Sequence, residues 1–393
     1  MPDFTEIFPQ LPLDALRQQS LDTTEKTLLP VLERGRAESL ADLAALLSPE
    51  AGRRLEDLSH HSQRITQKHF GKTIRLFAPL YLSNECVNIC KYCGFSRHVD
   101  IPRITIPVEQ AVTESRALAR QGFRSILLVA GEHPKYVSNG YVEEVVRRIL
   151  PIMPSVALEL GPLNTEGYAP LVDAGCEALI VYQETYHEAT YKEMHTAGPK
   201  NRFYWRMETP ERAGRAGFRR LGIGALLGLY DWRWEVLALA AHAQHLTRTC
   251  WRSQITLSLP RLRPAPGEFQ PRHSMSNREF VQAVCALRML LPHAGIVLST
   301  REPPHLRDGL VRLGVTTMSA GSSTEPGGYS SYKQDEWKQT REQEGEQFQI
   351  SDERSPKEFA AAVRARGYEP VWKDFDQSLV SSDHPSTISS SAT

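Results

Sequence analysis

Apolar residues along this chain fall into short continuous runs separated by longer stretches with helical spacing. Runs of strand character occupy residues 74–80, 125–130, 156–160, 178–182, 221–227, 254–259, 295–299 and 315–319. Between them, the apolar positions recur every three or four residues and predict helices over 108–121, 140–150, 165–174, 208–216, 232–249, 277–291 and 304–313. Runs such as Ile126-Leu127-Leu128-Val129 show no polar alternation, the signature of a strand covered on both faces. Eight strands alternating with helices over about 250 residues is the count of a (β/α)8 barrel, an α/β fold of TIM type. A doubly wound open sheet has the same periodicity, so the pattern leaves it as the alternative.

The flanks differ from this core. Residues 1–72 read as helical, with Ser48 as an N-cap and Pro49 at the first helical position. The core spans 73–320, and a C-terminal extension over 321–377 is expected to pack on it. Within the extension, Ser355 and Glu358 form a capping box before a helix that Gly367 stops. The Ser-rich tail, 378–393, is expected to be disordered.

Charge removes several function classes. Lys plus Arg equals Asp plus Glu at 46 each, so the basic excess of a nucleic-acid binder is missing. No apolar run approaches the roughly 18 residues of a membrane span, and the N-terminus lacks a secretory pattern. A cytoplasmic protein with neither nucleic-acid nor membrane partners is expected. In that reducing compartment cysteines point to metal rather than to disulfides. Cys176, Cys250 and Cys285 each sit among apolar neighbours as core fillers. Cys86, Cys90 and Cys93 instead fall within eight residues, spaced C-x3-C-x2-C directly after the first strand. Three thiolates on one loop can hold three irons of a 4Fe-4S cube and leave the fourth iron without a protein ligand. A zinc site completed by His98 is the bland alternative.

Two further sets of residues stand out by type. Glu159 lies in an apolar strand, where a carboxylate needs a partner or a ligand. Gln183, Glu184, Tyr186 and His187 crowd one strand end with polar groups and are candidates for ligand contacts.

The loop, with aromatic Tyr92 before its third cysteine, resembles the radical S-adenosylmethionine (SAM) superfamily. Several other segments resemble one family within it, the 2-iminoacetate synthases, tyrosine lyases of thiamine biosynthesis. They are Pro79-Leu80-Tyr81-Leu82-Ser83-Asn84, Gly131-Glu132-His133, residues 181–191 and 258–263, Ser299-Thr300-Arg301-Glu302 and Pro326-Gly327-Gly328-Tyr329. The similarity runs from about residue 10 to Asp374.

The resemblance implies a 4Fe-4S cluster on the three cysteines, with SAM chelating the open iron. It implies a lyase that cleaves the Cα–Cβ bond of L-tyrosine to 2-iminoacetate and p-cresol, with 5′-deoxyadenosine and methionine formed from SAM. Implied partners are the thiazole synthase ThiG, as acceptor of the imine, and a low-potential flavodoxin or ferredoxin. SAM contacts are expected from Tyr92, Gly131, Glu132, Glu159 (to a ribose hydroxyl), Gln183, Gly222 and Gly224, with Arg206 or Arg215 on its carboxylate. Substrate contacts are expected from Glu184, Tyr186, His187, Arg301 on the tyrosine carboxylate, and Ser319, with Ser322 and Ser323 nearby. Arg261 and Arg263 are the competing carboxylate clamp. The hydrogenase-maturation tyrosine lyase, a tryptophan lyase and a non-catalytic metal-binding module are the alternatives. The first of these carries further cysteines near its C-terminus, and this sequence has none after Cys285.

Overall fold

Strands without polar alternation need cover on both faces, and the chain supplies it by closing them into a cylinder inside a ring of helices. The computed structural model describes residues 2–267, 269–330 and 346–373. Its parallel strands are β1 (Thr73–Ser83), β2 (Ser125–Ala130), β3 (Ser155–Glu159), β4 (Cys176–Ile180), β5 (Arg220–Gly224), β6 (Gln254–Ser258), β7 (Gly295–Leu298) and β8 (Thr317–Ser319). Each pairs with the next, and β8 returns to β1 with Arg75 opposite Thr317 and Phe77 opposite Ser319. That last pairing decides for the closed barrel against the open sheet. The helices that follow the strands in turn include α1 (Val108–Arg120), α2 (Asn139–Ile149), α3 (Thr165–Asp173), α4 (Thr209–Ala216), α5 (Trp232–Thr249), α6 (Asn277–Leu290) and α7 (Pro304–Leu310).

Predicted strand positions agree with the structure to within a few residues. The exceptions are informative. The first strand continues to Ser83, because it carries the cysteine loop beyond the rim. The fifth ends at Gly224, since Ala225 and Leu227 make only isolated bridges, to Glu184 and Arg261.

The N-terminal helices lie against the flank of the barrel. Gln282 on α6 donates to Leu46 O and Ser48 O, Arg233 on α5 donates to Leu47 O, and Trp234 donates to Asp14. Helix α5 is therefore enclosed by strands on one side and helices on the other, which explains its apolar residues all round. In the C-terminal part, α8 (Pro356–Ala365) precedes β9 (Glu369–Val371), which joins β1 with Thr73 opposite Glu369. The expected tail, 378–393, and part of the extension lie outside the described residues.

Candidate active site

The loop after β1 is held by backbone acceptors. The Arg103 guanidinium donates to the carbonyls of Asn84, Phe95, Ser96 and Val99, using its fork of donors to fix both ends of the loop. Ile89 and Cys90 form a short antiparallel ribbon with His195–Ala197, so a segment after β4 is tied to the loop. Cys86, Cys90 and Cys93 face one common cavity at the C-terminal end of the strands. Gly131 closes against the loop, where a Cβ would lie 2.3 Å from Glu85 O. Burial pushes the Cys90 thiol up to about 12 and raises Cys93 as well. Such thiols become ligands when a bound cation supplies compensating charge. His98 is engaged elsewhere, with Nδ1 2.9 Å from Ser96 Oγ, and does not line the thiol cavity.

Five charged side chains also line the cavity: Glu132, Glu159, Glu184, Lys200 and Arg206. Asn88 holds Glu132 by a 2.8 Å hydrogen bond to Oε2. Lys200 sits 2.8 Å from Glu184 Oε1, and Arg206 3.4 Å from the same oxygen. Burial would raise the Glu184 carboxyl, but Lys200 and then Arg206 outweigh it and hold the group below its ordinary range. Among the described non-glycine residues, Glu184 alone has a left-handed backbone, with φ 71°. A strained dihedral of this kind, costing about 1–3 kcal/mol, persists where the surroundings fix it and clusters at functional sites.

A second cavity adjoins the first and shares Val129, Glu159, Tyr182 and Gln347 with it. At its far side Arg301 stacks on Phe348, its guanidinium carbon 3.3 Å from the ring centroid. Among the described residues the Arg301 guanidinium makes no hydrogen bond or ion pair, although it is deeply placed. The competing arginines are already committed, because Arg261 and Arg263 both pair with Glu302. Ser322 Oγ, on the wall of the same cavity, is buried without a hydrogen-bond partner among the described residues. The pair of cavities thus joins a thiol site to a carboxylate-seeking cation.

The sequence matches the model of the radical SAM superfamily over residues 80–240 and that of the Biotin and Thiamin Synthesis associated domain over 258–369. It is 41% identical to the 2-iminoacetate synthase of Escherichia coli (strain K12) across 96% of this chain and 98% of that one. The chain belongs to the 2-iminoacetate synthase family. Its solved structural neighbours include the FeFe-hydrogenase maturase HydG from Carboxydothermus hydrogenoformans, at 34% identity and a TM-score of 0.82, covering 94% of this chain and 83% of that one. Methylornithine synthase (PylB), at 19% identity and a TM-score of 0.69 over 88% of this chain and 97% of that one, shares the fold. The cofactors of the superfamily are a 4Fe-4S cluster and SAM. Three thiols opening onto a single charged cavity, with a glycine where the wall meets the loop, fit that pair.

The fold gathers some of the expected residues and disperses others. Gly131, Glu132, Glu159, Glu184 and Arg206 stand with the cysteines, and Arg301 and Ser319 line the adjoining cavity. Glu184, expected toward the substrate, lines the thiol cavity instead, drawn there by Lys200 and Arg206. Arg215 must be corrected: it projects from α4 to the surface and pairs with Asp3. Tyr186 turns away from the barrel axis and bonds His242 through its hydroxyl, packed beside Phe8. His187 caps the helix Glu188–Met194 and stacks on Tyr230, so it too lines neither cavity. Tyr92 lies behind Cys90, its hydroxyl 2.7 Å from His195 Nε2. Gln183 donates to Phe203 O and is likewise outside both cavities. Gly222 and Gly224 make room for protein, since a Cβ would strike Ile180 and the Tyr182 ring respectively.

Lys200, Asn88, Tyr182 and Gln347 were not singled out by the sequence reading. Lys200 is carried in by a turn at Gly198, whose φ of 88° and contact with Asn88 exclude a side chain. Gln347 arrives from the C-terminal part, its Oε1 accepting from Tyr81 and its Nε2 3.8 Å from Cys93 Sγ. Only for Tyr182 was a local signal present: it is two residues before Glu184, on the same side of an extended strand.

Proposed function

We infer that this chain is a radical SAM carbon–carbon lyase that cleaves L-tyrosine to 2-iminoacetate and p-cresol, converts SAM to 5′-deoxyadenosine and methionine, and supplies the thiazole moiety of thiamine. The observation that carries this reading is the continuity of the two cavities, from three clustered thiols at one end to the uncommitted Arg301 at the other. When bound, the cluster and SAM supply a carbon radical able to take a hydrogen atom from the substrate.

The chain's own residues bind, orient and exclude water. Cys86, Cys90 and Cys93 hold the cluster. Glu132, fixed by Asn88, would accept from the SAM ammonium, and Gly131 lets the cysteine loop close beside it. Arg206 lies where it can meet the SAM carboxylate. Arg301 offers tyrosine's carboxylate a planar fork, preset by its stacking on Phe348. Ser319 and Ser322 bound the same pocket. The thiazole synthase ThiG fits as acceptor, because the imine hydrolyses in water and gains from direct transfer. A low-potential flavodoxin or ferredoxin is the electron donor this chemistry needs. No helix of the described residues is long and apolar enough to cross a membrane, and a cytoplasmic site accords with six free cysteines.

Anaerobic reconstitution with iron and sulfide, followed by dithionite, SAM and tyrosine, tests the reading. Both p-cresol and 5′-deoxyadenosine are expected, and both vanish in Cys90→Ala. Deoxyadenosine without p-cresol would exclude tyrosine as the substrate.

A further inference from the structure

The reaction inferred above makes a demand that its binding residues do not meet. At neutral pH a free amino acid carries an ammonium group, whose nitrogen has no lone pair. Loss of a hydrogen atom from nitrogen and rupture of the neighbouring Cα–Cβ bond require the neutral amine. Some group must take one proton, and it must lie between the residue that holds the substrate carboxylate and the thiol cavity.

Glu159 occupies that place. It ends β3, and its side chain borders both cavities, with Arg301 across one and the cysteines across the other. The remaining carboxylates of the region are already engaged: Glu132 by Asn88, Glu184 by Lys200 and Arg206, and Glu302 by Arg261 and Arg263. Glu159, among the described residues, has no hydrogen bond or ion pair, although it is deep in the barrel mouth. A carboxylate kept there without a partner costs stability unless a ligand supplies one.

We propose that Glu159 is the base that accepts a proton from the tyrosine ammonium. One N–H bond breaks and one O–H bond forms. The electron pair stays on nitrogen, the carboxylate becomes a carboxylic acid, and no oxidant or reductant takes part. The proposal rests on the tyrosine lyase reading. The surrounding charges suit the task. Burial, with Glu184 adding to it, raises the Glu159 carboxyl to about 7, while Arg301, Lys200 and Arg206 hold it from rising further. Tyr81 and Tyr182 face it as neutral phenols, and Glu132 shares the cavity. A base is most effective when its pKa lies near the working pH.

The test uses the reconstituted holoenzyme with Glu159→Gln and Glu159→Asp. For the parent enzyme, kcat/KM for p-cresol should rise with pH through about 7, as a base that must be ionised requires. Glu159→Gln should lower kcat/KM by about 10²–10³-fold and abolish that limb, and Glu159→Asp should restore part of both. Iron content and SAM affinity should be unchanged. In the absence of SAM, the parent's preference for tyrosine over 3-(4-hydroxyphenyl)propanoate, which lacks the ammonium, should shrink in Glu159→Gln. A Gln variant with the limb and rate intact would overturn the proposal. So would a loss expressed entirely as weaker SAM binding, the result for a ribose-hydroxyl contact. If the parent enzyme neither binds tyrosine nor forms p-cresol, the lyase reading itself fails, and the base falls with it.

Discussion

At the base of the barrel, where the strands begin, Arg75 donates to Ser125 Oγ, Ser155 Oγ and Glu177 Oε1, and Arg220 donates to that same carboxylate. At the mouth, Glu159 and Arg301 share a cavity wall, and their side chains make no hydrogen bond or ion pair among the described residues. Both regions place charged groups in the same buried interior. In the lower one, two guanidiniums share one carboxylate and become part of the structure. In the upper one, they stay open, and what would neutralise them must come from outside. Between these two sets of side chains, pairing, more than charge or burial, marks those built into the fold off from those left open to a ligand.

The lower region gives the largest expected effect. Replacing Glu177 by Gln leaves Arg75 and Arg220 without their shared counter-charge in a buried layer. Breaking a buried pair from one side typically costs about 3–5 kcal/mol, and that loss should appear in chemical denaturation of the cluster-loaded protein. Cluster content and kcat/KM per folded molecule should hold, since none of the three side chains lines the cavities at the mouth. A stable variant with impaired turnover would reverse the division between the two ends.

The upper region answers differently to the same kind of change. Arg301→Met removes a cation that makes no hydrogen bond or ion pair among the described residues, and keeps a side chain to cover Phe348, so folding should be little affected, or slightly improved. The tyrosine carboxylate loses its fork, and kcat/KM for p-cresol should fall by about 10²-fold, near 3 kcal/mol, mainly through KM. Deoxyadenosine formed without tyrosine should continue at the parent rate. If Arg301→Met destabilised the fold by as much as Glu177→Gln, the guanidinium would have to be counted as structural.

Much of this contrast could be seen in the sequence, and the part that could not has a definite cause. The strand run at each barrel position, the cysteine spacing and the acidic residue in Val156-Ala157-Leu158-Glu159 are local patterns, and local patterns survive folding. The run after β4 shows where they stop. Tyr182 and Glu184 share the inward face by simple alternation, and Gln183 points away. Extending that alternation would put Tyr186 inward too, but the left-handed backbone at Glu184 breaks it and turns Tyr186 and His187 onto the flank. Lys200 and Gln347 reach the site through a ribbon and through the C-terminal part, contacts that no short window encodes. Nor does charge alone tell Arg301 from Arg261 and Arg263, whose shared Glu302 is adjacent to Arg301 in sequence and bonds the other two.

The smallest expected effect lies outside both ends and keeps their pH behaviour apart. His242 on α5 is buried, stacked on Phe4 with ring centroids 4.3 Å apart and bonded to the Tyr186 hydroxyl at 2.8 Å. Burial first, then the neighbouring His245, lowers its pKa to about 3. Well above pH 6.5 the imidazole is neutral whether the chain is folded or not, so it adds no pH dependence there. As the pH falls below that value, the unfolded chain binds a proton that the folded one refuses, and stability drops. The slope approaches about 1.4 kcal/mol per pH unit, so the loss between pH 7 and pH 5.5 is about 1 kcal/mol. His242→Gln keeps a polar group for Tyr186 and removes the titration. Compared by denaturation at the two pH values, the variant should lose about 1 kcal/mol less than the parent, with other ionisations cancelling in the difference. The kinetic limb assigned to Glu159 should be the same in both proteins. An acid limb that moved with His242→Gln would mean that partial unfolding, and not a base at the mouth, shapes the pH profile of turnover.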